Sequence, residues 1–474
     1  MSTNYFLPIE DARLKRLARG WLWLGILALI GSGLLAVLLV FSRTPGLQNW
    51  PPIAHFFHVA LVVHVDLSVL VWFVSVAGVL WSLNGRSLDL TTGKDVRGVL
   101  LAYAAPVTAA LGTLLMIVSP FIGRGGPVMA NYIPVLQDPI FFSGLMLFGL
   151  GAALLVLHSI INTRRLFSPI DGTDALRIGL ALSLIPAAIA FIAFAWSYFT
   201  MPVFDNQALT GKAYYEILFW GGGHALQFIW TTFLLVAWLW LASACGANIP
   251  MSPRIAVLAF FLASICSLAI PIAYLIWPIY TVEHRNLITF AMGLGGGLAI
   301  LPVAIAVVIG MHRNVLVAEA ARPLRAALYS SLLLFCFGGL IGFMIAGNNV
   351  KIPAHYHGCI VGVTLALMGL IYHLLPKLGY GIPSCKPATF SSYCYAVGQA
   401  MHIGGLMWSG GYGVQRKVAG AEQVLRSTGE VVAMGFMGLG GLIAIIGGLV
   451  FVVVVLKAIW VNRKTRANNG ANNT

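Results

Sequence analysis

Charged side chains are scarce in this chain of 474 residues, where only 9% of the residues are Asp, Glu, Lys or Arg. A soluble protein carries roughly 25% charged residues, so this composition excludes a chain solvated mainly by water. Hydrophobic residues make up 59% of the sequence, and the mean hydropathy is +0.90. The composition therefore predicts a protein that is solvated mostly by lipid.

Acidic residues are especially rare, because 14 Asp and Glu stand against 28 Lys and Arg. The resulting net charge of +14 could indicate a nucleic-acid partner, but its distribution along the chain argues against one. If the N-terminus is cytoplasmic and the chain crosses the membrane twelve times, cytoplasmic segments hold about 20 of the Lys and Arg. This positive-inside bias predicts a bacterial inner-membrane protein with both termini in the cytoplasm and no nucleic-acid partner.

The six cysteines also lack a pattern, because they form neither a CxxC nor a CxxCH motif. The chain is therefore not expected to attach a c-type heme or to be held by a disulfide framework.

Apolar runs long enough to cross a bilayer, about 18 residues or more, are abundant. About twelve are expected, at 19–41, 57–83, 98–120, 138–161, 177–199, 214–242, 255–281, 287–311, 325–347, 353–376, 392–412 and 431–460. The prediction is an all-α membrane protein with one domain. A cytoplasmic segment at 1–18 should precede the twelve-helix catalytic domain at 19–460, and a polar cytoplasmic tail should follow at 461–474.

Polar residues inside such spans are costly, so they indicate where the chemistry lies. The tenth span begins with the pair His355 and His357. Residues at i and i+2 of a helix differ by about 200° in direction, so the two imidazoles should point to opposite flanks. Because imidazole is a usual axial ligand of heme iron, one helix could hold two hemes. The alternative is a pair of interfacial histidines bound to lipid headgroups or to helix-end carbonyls.

Further histidines lie in two other spans and at one junction between spans. His64 lies in the second span at a membrane depth similar to that of His357, so a six-coordinate heme between the two is expected. His224 follows three consecutive glycines, which would let another group approach the backbone. Glu283 and His284 stand between the seventh and eighth spans. Two imidazoles and a carboxylate would suit a divalent transition metal with open positions. The alternatives are a structural role for His64 and ordinary loop roles for Glu283 and His284.

These residues resemble the pattern of subunit I of the heme-copper oxidase superfamily, which includes the nitric oxide reductases. The likeness covers nearly the whole chain, and the pair of histidines in the tenth span is its most specific part. It implies that His355 binds a high-spin heme and that His64 and His357 bind a low-spin heme. It also implies that His224, four residues after a matching tryptophan, is a ligand of the second metal.

The resemblance extends to the basic pair Arg416 and Lys417 after the eleventh span, which would contact heme propionates. The alternative is that both are solvated loop charges. The implied cofactors are two hemes, b-type by default, and one second metal, either copper or nonheme iron. The implied partners are lipid, a small gas substrate and a second subunit that delivers electrons through a copper site or a c-type cytochrome.

Departures from the family pattern favour nitric oxide over dioxygen as the substrate. The family usually has two adjacent histidines at the end of the seventh helix, and Glu283 replaces one of them here. A tyrosine is often found four residues after the histidine of the sixth helix in oxygen reductases, where this chain has Phe228. Buried acids for an inward proton channel are also lacking, apart from Asp66. The interpretation is a respiratory oxidoreductase that reduces nitric oxide to nitrous oxide with protons from the outer side. A dioxygen reductase and a non-catalytic heme electron-transfer protein remain alternatives.

Overall fold

Long helices account for almost all of the protein in a computed structural model. The structure describes residues 3–47, 51–86, 96–163, 170–204, 207–313, 318–419 and 422–471. The helices are α1 (Ala12–Arg43), α2 (Pro51–Val65), α3 (Trp72–Asn84), α4 (Val96–Ile122), α5 (Pro139–Ile161), α6 (Gly172–Leu182), α7 (Leu184–Phe199), α8 (Gly211–Ala244), α9 (Pro253–Ile265), α10 (Ala269–Ile276), α11 (Val282–Arg313), α12 (Arg322–Gly342), α13 (Lys351–Lys377), α14 (Cys385–Gly411) and α15 (Thr428–Ala471). The all-α membrane fold is confirmed.

The predicted number of about twelve spans is consistent with the structure. Eleven stretches of the described chain are helical, long enough and apolar enough to cross a membrane. The remaining long helix, α14, has 27 residues but carries more polar side chains. The ends of the bundle differ from prediction, because α1 already begins at Ala12 and α15 continues through Ala471. Residues 472–474 of the predicted tail lie outside the described chain.

Three predicted spans are interrupted helices. A π-helical segment, Asp66–Val71, joins α2 to α3. Pro186 and Pro271 stand near the starts of α7 and α10. A proline has no N–H to offer the carbonyl four residues earlier, so the helix before it ends. This explains why the fifth span divides at Ser183 and why the seventh contains a 3₁₀ segment before α10.

The helices group into two compact units. The first comprises residues 1–28, 65–243 and 247–314. In it α4 packs against α5, and α9 packs against both α6 and α11. Two short antiparallel hairpins connect its helices. One pairs β1 (Pro127–Val128) with β2 (Val135–Leu136), and the other pairs β3 (Val203–Phe204) with β4 (Gln207–Ala208).

The second unit comprises residues 29–64, 244–246 and 315–474. Its main packing pairs are α12 with α13 and α14 with α15, and α13 also contacts α14. One close approach in the first pair is at Gly338 of α12 and Gly358 of α13. A Cβ atom at Gly338 would lie 2.5 Å from the backbone nitrogen of Cys359. Small residues at such positions let the backbones of two helices come close together.

Candidate cofactor site

The two histidines at the start of α13 point to different neighbouring helices. The Nδ1 atom of His355 lies 2.7 Å from the carbonyl oxygen of Gly338 in α12. The ring of His357 instead packs against His402 of α14, with ring centroids 5.0 Å apart. The predicted opposite orientation of the two imidazoles therefore agrees with their contacts. A single helix presents one imidazole to each flank.

His64 is oriented by the backbone of the first span. Its Nδ1 atom lies 2.9 Å from the carbonyl oxygen of Ser32 and 3.0 Å from the hydroxyl oxygen of the same residue. A carbonyl oxygen can only accept, so Nδ1 carries the proton and Nε2 keeps its lone pair. His357 lies within electrostatic range of His64, and its own buried Nδ1 has no hydrogen-bond partner among the described residues. The structure thus brings both predicted low-spin ligands into one region of the second unit.

Two further residues of this region were missed by the sequence analysis. His402 of α14 has its Nδ1 atom 3.1 Å from the carbonyl oxygen of Met437. Arg43, at the end of α1, binds Gln423 and the carbonyl oxygen of Gln415. A histidine within a span and an arginine at its end are detectable in a sequence. Their proximity to His357 is not detectable, because it depends on tertiary packing.

The basic pair after α14 has contacts of its own. The Nε atom of Arg416 donates to the Oδ1 atom of Asn348 over 2.7 Å. Lys417 has a positive φ of 62°, and its carbonyl oxygen lies 3.3 Å from Nε2 of His58. Arg416 also lies within electrostatic range of Tyr356, the residue between the two histidines of α13. This position is compatible with the predicted contact to propionates, which stays a prediction.

His224 is buried in α8 and held from two sides in the first unit. Its Nδ1 atom lies 2.8 Å from the carbonyl oxygen of Trp220, one helical turn earlier. The hydroxyl oxygen of Tyr132 lies 2.9 Å from Nδ1 and 3.0 Å from Nε2. Tyr132 was missed by the sequence analysis, which considered a tyrosine only at the position of Phe228. It comes from the loop between β1 and β2.

The three glycines before His224 each face an aromatic ring. A Cβ atom at Gly221, Gly222 or Gly223 would overlap Tyr274, Phe194 or Tyr132, respectively. The prediction that these glycines let other groups approach the helix is therefore confirmed. Their effect is to surround His224 with aromatic side chains.

His284 lies in the first turn of α11 and completes the pair of imidazoles. Thr281 fixes the start of the helix, since its hydroxyl accepts the backbone N–H of His284 over 3.3 Å. The ring of His284 lies edge-on against Tyr274, with centroids 4.7 Å apart, and is within electrostatic range of His224. Both ring nitrogens of His284 are buried and have no hydrogen-bond partner among the described residues. Such unpartnered buried nitrogens are costly unless a further group binds them.

Glu283 does not join these imidazoles in the structure. Its side chain is exposed although His284 beside it is 1% exposed, and no described contact links its carboxylate to His224 or His284. Within the described parts of the chain, no three His, Cys, Asp or Glu side chains converge as a metal site. The prediction that Glu283 is a third ligand has no contact in its support.

Electrostatics around Tyr132 favour the protonated phenol. Burial raises the pKa of Tyr132 above its ordinary value, Glu216 adds to the rise, and Arg285 opposes it. The guanidinium of Arg285 lies 4.3 Å from the centre of the Trp220 ring, where a cation is attracted by the ring face. The phenol therefore stands beside His224 as a neutral hydroxyl.

The residues present fit the groups that the resemblance implies. The rings of His64 and His355 donate Nδ1–H to backbone carbonyls, so Nε2 is the nitrogen with a lone pair for iron. His224 has the same arrangement, and the unpartnered nitrogens of His284 face the same region. Histidine ligands of metals usually have their second nitrogen held in this way.

Comparison with known proteins identifies the family. The family model for cytochrome c and quinol oxidase polypeptide I matches residues 16–450. This chain belongs to that family. An uncharacterized protein of Rickettsia prowazekii is 31% identical over 94% of this chain and 96% of its own length. An uncharacterized protein of Aquifex aeolicus is 28% identical over 76% of this chain and 85% of its own length.

A solved structure supports the same fold. The chain of a heme-copper terminal oxidase dimer, described in a study of its catalytic mechanism, superposes with a TM-score of 0.73 at 18% identity. The match covers 95% of this chain and 84% of the other. Members of the family are multi-pass membrane oxidoreductases that generally bind hemes and a second metal. The predictions of the family, of its general activity and of its classes of cofactor are therefore confirmed.

Proposed function

We propose that this protein is the catalytic subunit of a respiratory terminal reductase that converts nitric oxide to nitrous oxide. The observation that carries the proposal is the residue four positions after His224, which is Phe228. Phe228 is fully buried in the apolar core around α8 and has no group that could release an electron and a proton. Dioxygen cleavage takes four electrons at once, one of them normally from a tyrosine at the site. Nitric oxide reduction makes no such demand.

The proposed reaction combines two nitric oxide molecules with two electrons and two protons to give one nitrous oxide and one water. When bound, the two hemes and the second metal would hold and deliver these electrons. His64 and His357 would hold the low-spin heme, and His355 would hold the high-spin heme. Because His355 and His357 are two residues apart on α13, this helix would connect the two iron sites. His224 and His284 would bind the second metal.

The distribution of buried acids supports proton supply from the outer side. Asp66, Asp138 and Glu430 are buried acids of the described chain. Asp138 accepts backbone hydrogen bonds at the start of α5, and Glu430 lies in the first turn of α15. Asp66 alone of these three lies far from a helix end of its span. One buried acid does not form an inward channel, so we expect turnover without proton pumping.

Dioxygen reduction is the second candidate, and the position of Tyr132 favours it. The hydroxyl of this residue lies within hydrogen-bond distance of His224, so a phenol is present beside the proposed second-metal site. It comes from a loop and not from the position that Phe228 occupies. A phenol in contact with a metal-binding histidine is the feature that a dioxygen reductase would need.

The test is a headspace assay of the purified complex supplied with a reductant. Under nitric oxide we expect nitrous oxide at one molecule for every two nitric oxide molecules consumed. Under dioxygen we expect slow consumption and no acidification outside reconstituted vesicles. Rapid dioxygen consumption with no nitrous oxide would reject the proposal in favour of the second candidate. A complex with two hemes but no gas turnover would indicate the electron-transfer alternative. The electron donor is expected to be a second subunit with a copper site or a c-type heme.

A further inference from the structure

The tip of the hairpin between α4 and α5 has an unusual backbone. The N–H of Ile133 donates to the carbonyl oxygen of Asn131 over 2.9 Å, which closes a three-residue turn around Tyr132. Tyr132 has a φ of 68°, a conformation that bulky side chains rarely adopt. A γ-turn with a positive φ at its centre is the rare and strained form of this turn. Strain of this kind persists only where the surroundings impose it, often at functional sites.

A carboxylate on α8 imposes this conformation. Glu216 accepts the backbone N–H of Asn131 through Oε1 over 3.1 Å. It accepts the side-chain amide of Asn131 through Oε2 over 2.8 Å. Glu216 therefore holds the residue directly before Tyr132 with both oxygens. Because Glu216 and His224 are on the same helix, the hairpin tip is fastened to the element that carries the imidazole.

The helix surface is shaped to receive the phenol. The ring of Tyr132 lies over Gly223, where any side chain would overlap it. Trp220 packs edge-on against the Tyr132 ring, with centroids 5.9 Å apart, and lies 4.6 Å from the ring of His224. Three separate features thus direct one hydroxyl to one imidazole: the strained turn, the carboxylate and the glycine.

The two distances from the hydroxyl to the imidazole define its position. An atom on the lone-pair axis of Nε2 would be far from Nδ1. The hydroxyl oxygen is almost equally distant from both nitrogens, at 2.9 and 3.0 Å, so it lies off the in-plane lone-pair axis of either nitrogen. The hydroxyl therefore limits rotation of the ring without occupying the direction in which Nε2 would bind a metal.

We propose that Tyr132, held by Glu216, is a positioning residue of the second-metal site and fixes the His224 ring for metal binding. The inference rests on the proposed second-metal site at His224 and His284. Substitution of a residue that orients a metal-ligating histidine typically weakens metal binding about 10- to 100-fold.

The test compares retention of the second metal in purified complexes during a challenge with EDTA, with copper and nonheme iron measured against heme. Tyr132→Phe removes the hydroxyl but keeps the ring, and we expect about 10- to 100-fold weaker retention of the second metal. Glu216→Gln replaces one acceptor with a donor, so it should weaken retention in the same direction. Both variants should keep two hemes per chain. Tyr198→Phe is the matched control, because Tyr198 is 60% exposed and its loss should have no effect.

The double variant separates positioning from a general structural role. If Glu216 acts through Tyr132, the Tyr132→Phe/Glu216→Gln double variant should lose no more metal than Tyr132→Phe alone. If the loss of metal retention in the double variant equals the product of the two single losses, Glu216 does not act through Tyr132. If Tyr132→Phe lost the hemes together with the second metal, the phenol would stabilise the fold as a whole and would not position His224.

His224→Ala distinguishes failure of the inference from failure of the proposed site. If His224→Ala loses the second metal but Tyr132→Phe retains it like the unaltered protein, the site stands and the inference is wrong. If His224→Ala also retains the metal, the proposed site at this histidine is wrong and the inference fails with it.

Discussion

Four histidine rings in this protein share one hydrogen-bond arrangement. In each, Nδ1 lies within 3.1 Å of a backbone carbonyl oxygen. The residues are His64, His224, His355 and His402. The carbonyl fixes the proton on Nδ1 and directs Nε2 away from the backbone. The fold itself thus fixes the orientation of each ring.

The low-spin heme ligands give the first prediction. Replacing His64 or His357 with Ala should remove the sharp six-coordinate spectrum of the reduced protein, because each would supply one axial bond to the iron. The high-spin heme should remain. The measurement is the reduced-minus-oxidised absorption spectrum of the purified protein.

His402→Ala is the informative control for that experiment. The ring of His402 packs on His357 at a tilt of 36°, which is an ordinary contact between neighbouring rings. We therefore expect its loss to leave the six-coordinate spectrum in place. A spectrum that survives His64→Ala but disappears in His402→Ala would transfer the ligand role to α14.

The second prediction concerns the two neighbours at the start of α11. His284→Ala should lower the second-metal content to near zero, because it removes a buried imidazole whose nitrogens have no other described hydrogen-bond partner. Glu283→Gln should leave the metal content unchanged, because the carboxylate is exposed. Elemental analysis of the purified variants measures both. Metal loss in Glu283→Gln would show that the carboxylate turns inward when the metal binds.

Sequence patterns were sufficient to predict the directions of His355 and His357, but not the positions of Tyr132 and Glu283 relative to the other histidines. His355 and His357 could be assigned to opposite flanks because helical periodicity alone determines their directions. Tyr132 could not be assigned to His224, because a loop residue reaches its partner through the path of a hairpin. Glu283 was expected at the metal by analogy with an adjacent pair of histidines. Adjacent residues on a helix point about 100° apart, so burying His284 leaves Glu283 outside.

At the scale of elements, the close contact between α12 and α13 controls the position of His355. The carbonyl oxygen of Gly338 that accepts from His355 belongs to a residue at which the backbones of the two helices come close together. The sequence analysis considered only the three glycines before His224, because helix pairing decides which other glycines lie at contacts. The orientation of an expected heme ligand therefore depends on a residue that has no side chain.

The third prediction uses this contact. Gly338→Ala should destabilise the protein by about 1 to 3 kcal/mol and reduce occupancy of the high-spin heme, since the added methyl overlaps α13. Gly339→Ala is the matched control, because a Cβ atom at this position has no atom within 4 Å. Thermal unfolding in detergent and the heme content measure both effects. Equal behaviour of the two variants would exclude the contact as the cause.

The helix α14 illustrates a limit of reasoning from hydropathy. It was predicted as the eleventh span, at 392–412, and the structure contains a helix from Cys385 to Gly411. Its composition is too polar to qualify as a span by hydropathy. Ser391 binds Tyr372 of α13 over 2.6 Å, and His402 binds the backbone of α15. Polar residues that face neighbouring helices can remain in a membrane bundle because they find partners there.

At the scale of the whole molecule, the fourth prediction concerns orientation. An even number of crossings returns the chain to the side on which it began. A reporter enzyme that is active only in the cytoplasm should therefore be active when fused after Thr474, because the basic residues favour cytoplasmic termini. A periplasmic signal from the fusion would require an odd number of crossings.

The division of the histidines between the two units bears on how the protein is made. Tyr132, His224 and His284 all lie in the first unit, whose last residue is 314. The proposed ligands of both hemes include residues of α13, which the ribosome synthesises only afterwards. His64 is synthesised early, but the proposed low-spin heme would also need His357 as its second axial ligand. With these proposed ligands, heme insertion would follow synthesis of α13, so an intermediate without heme would precede the finished protein during biogenesis.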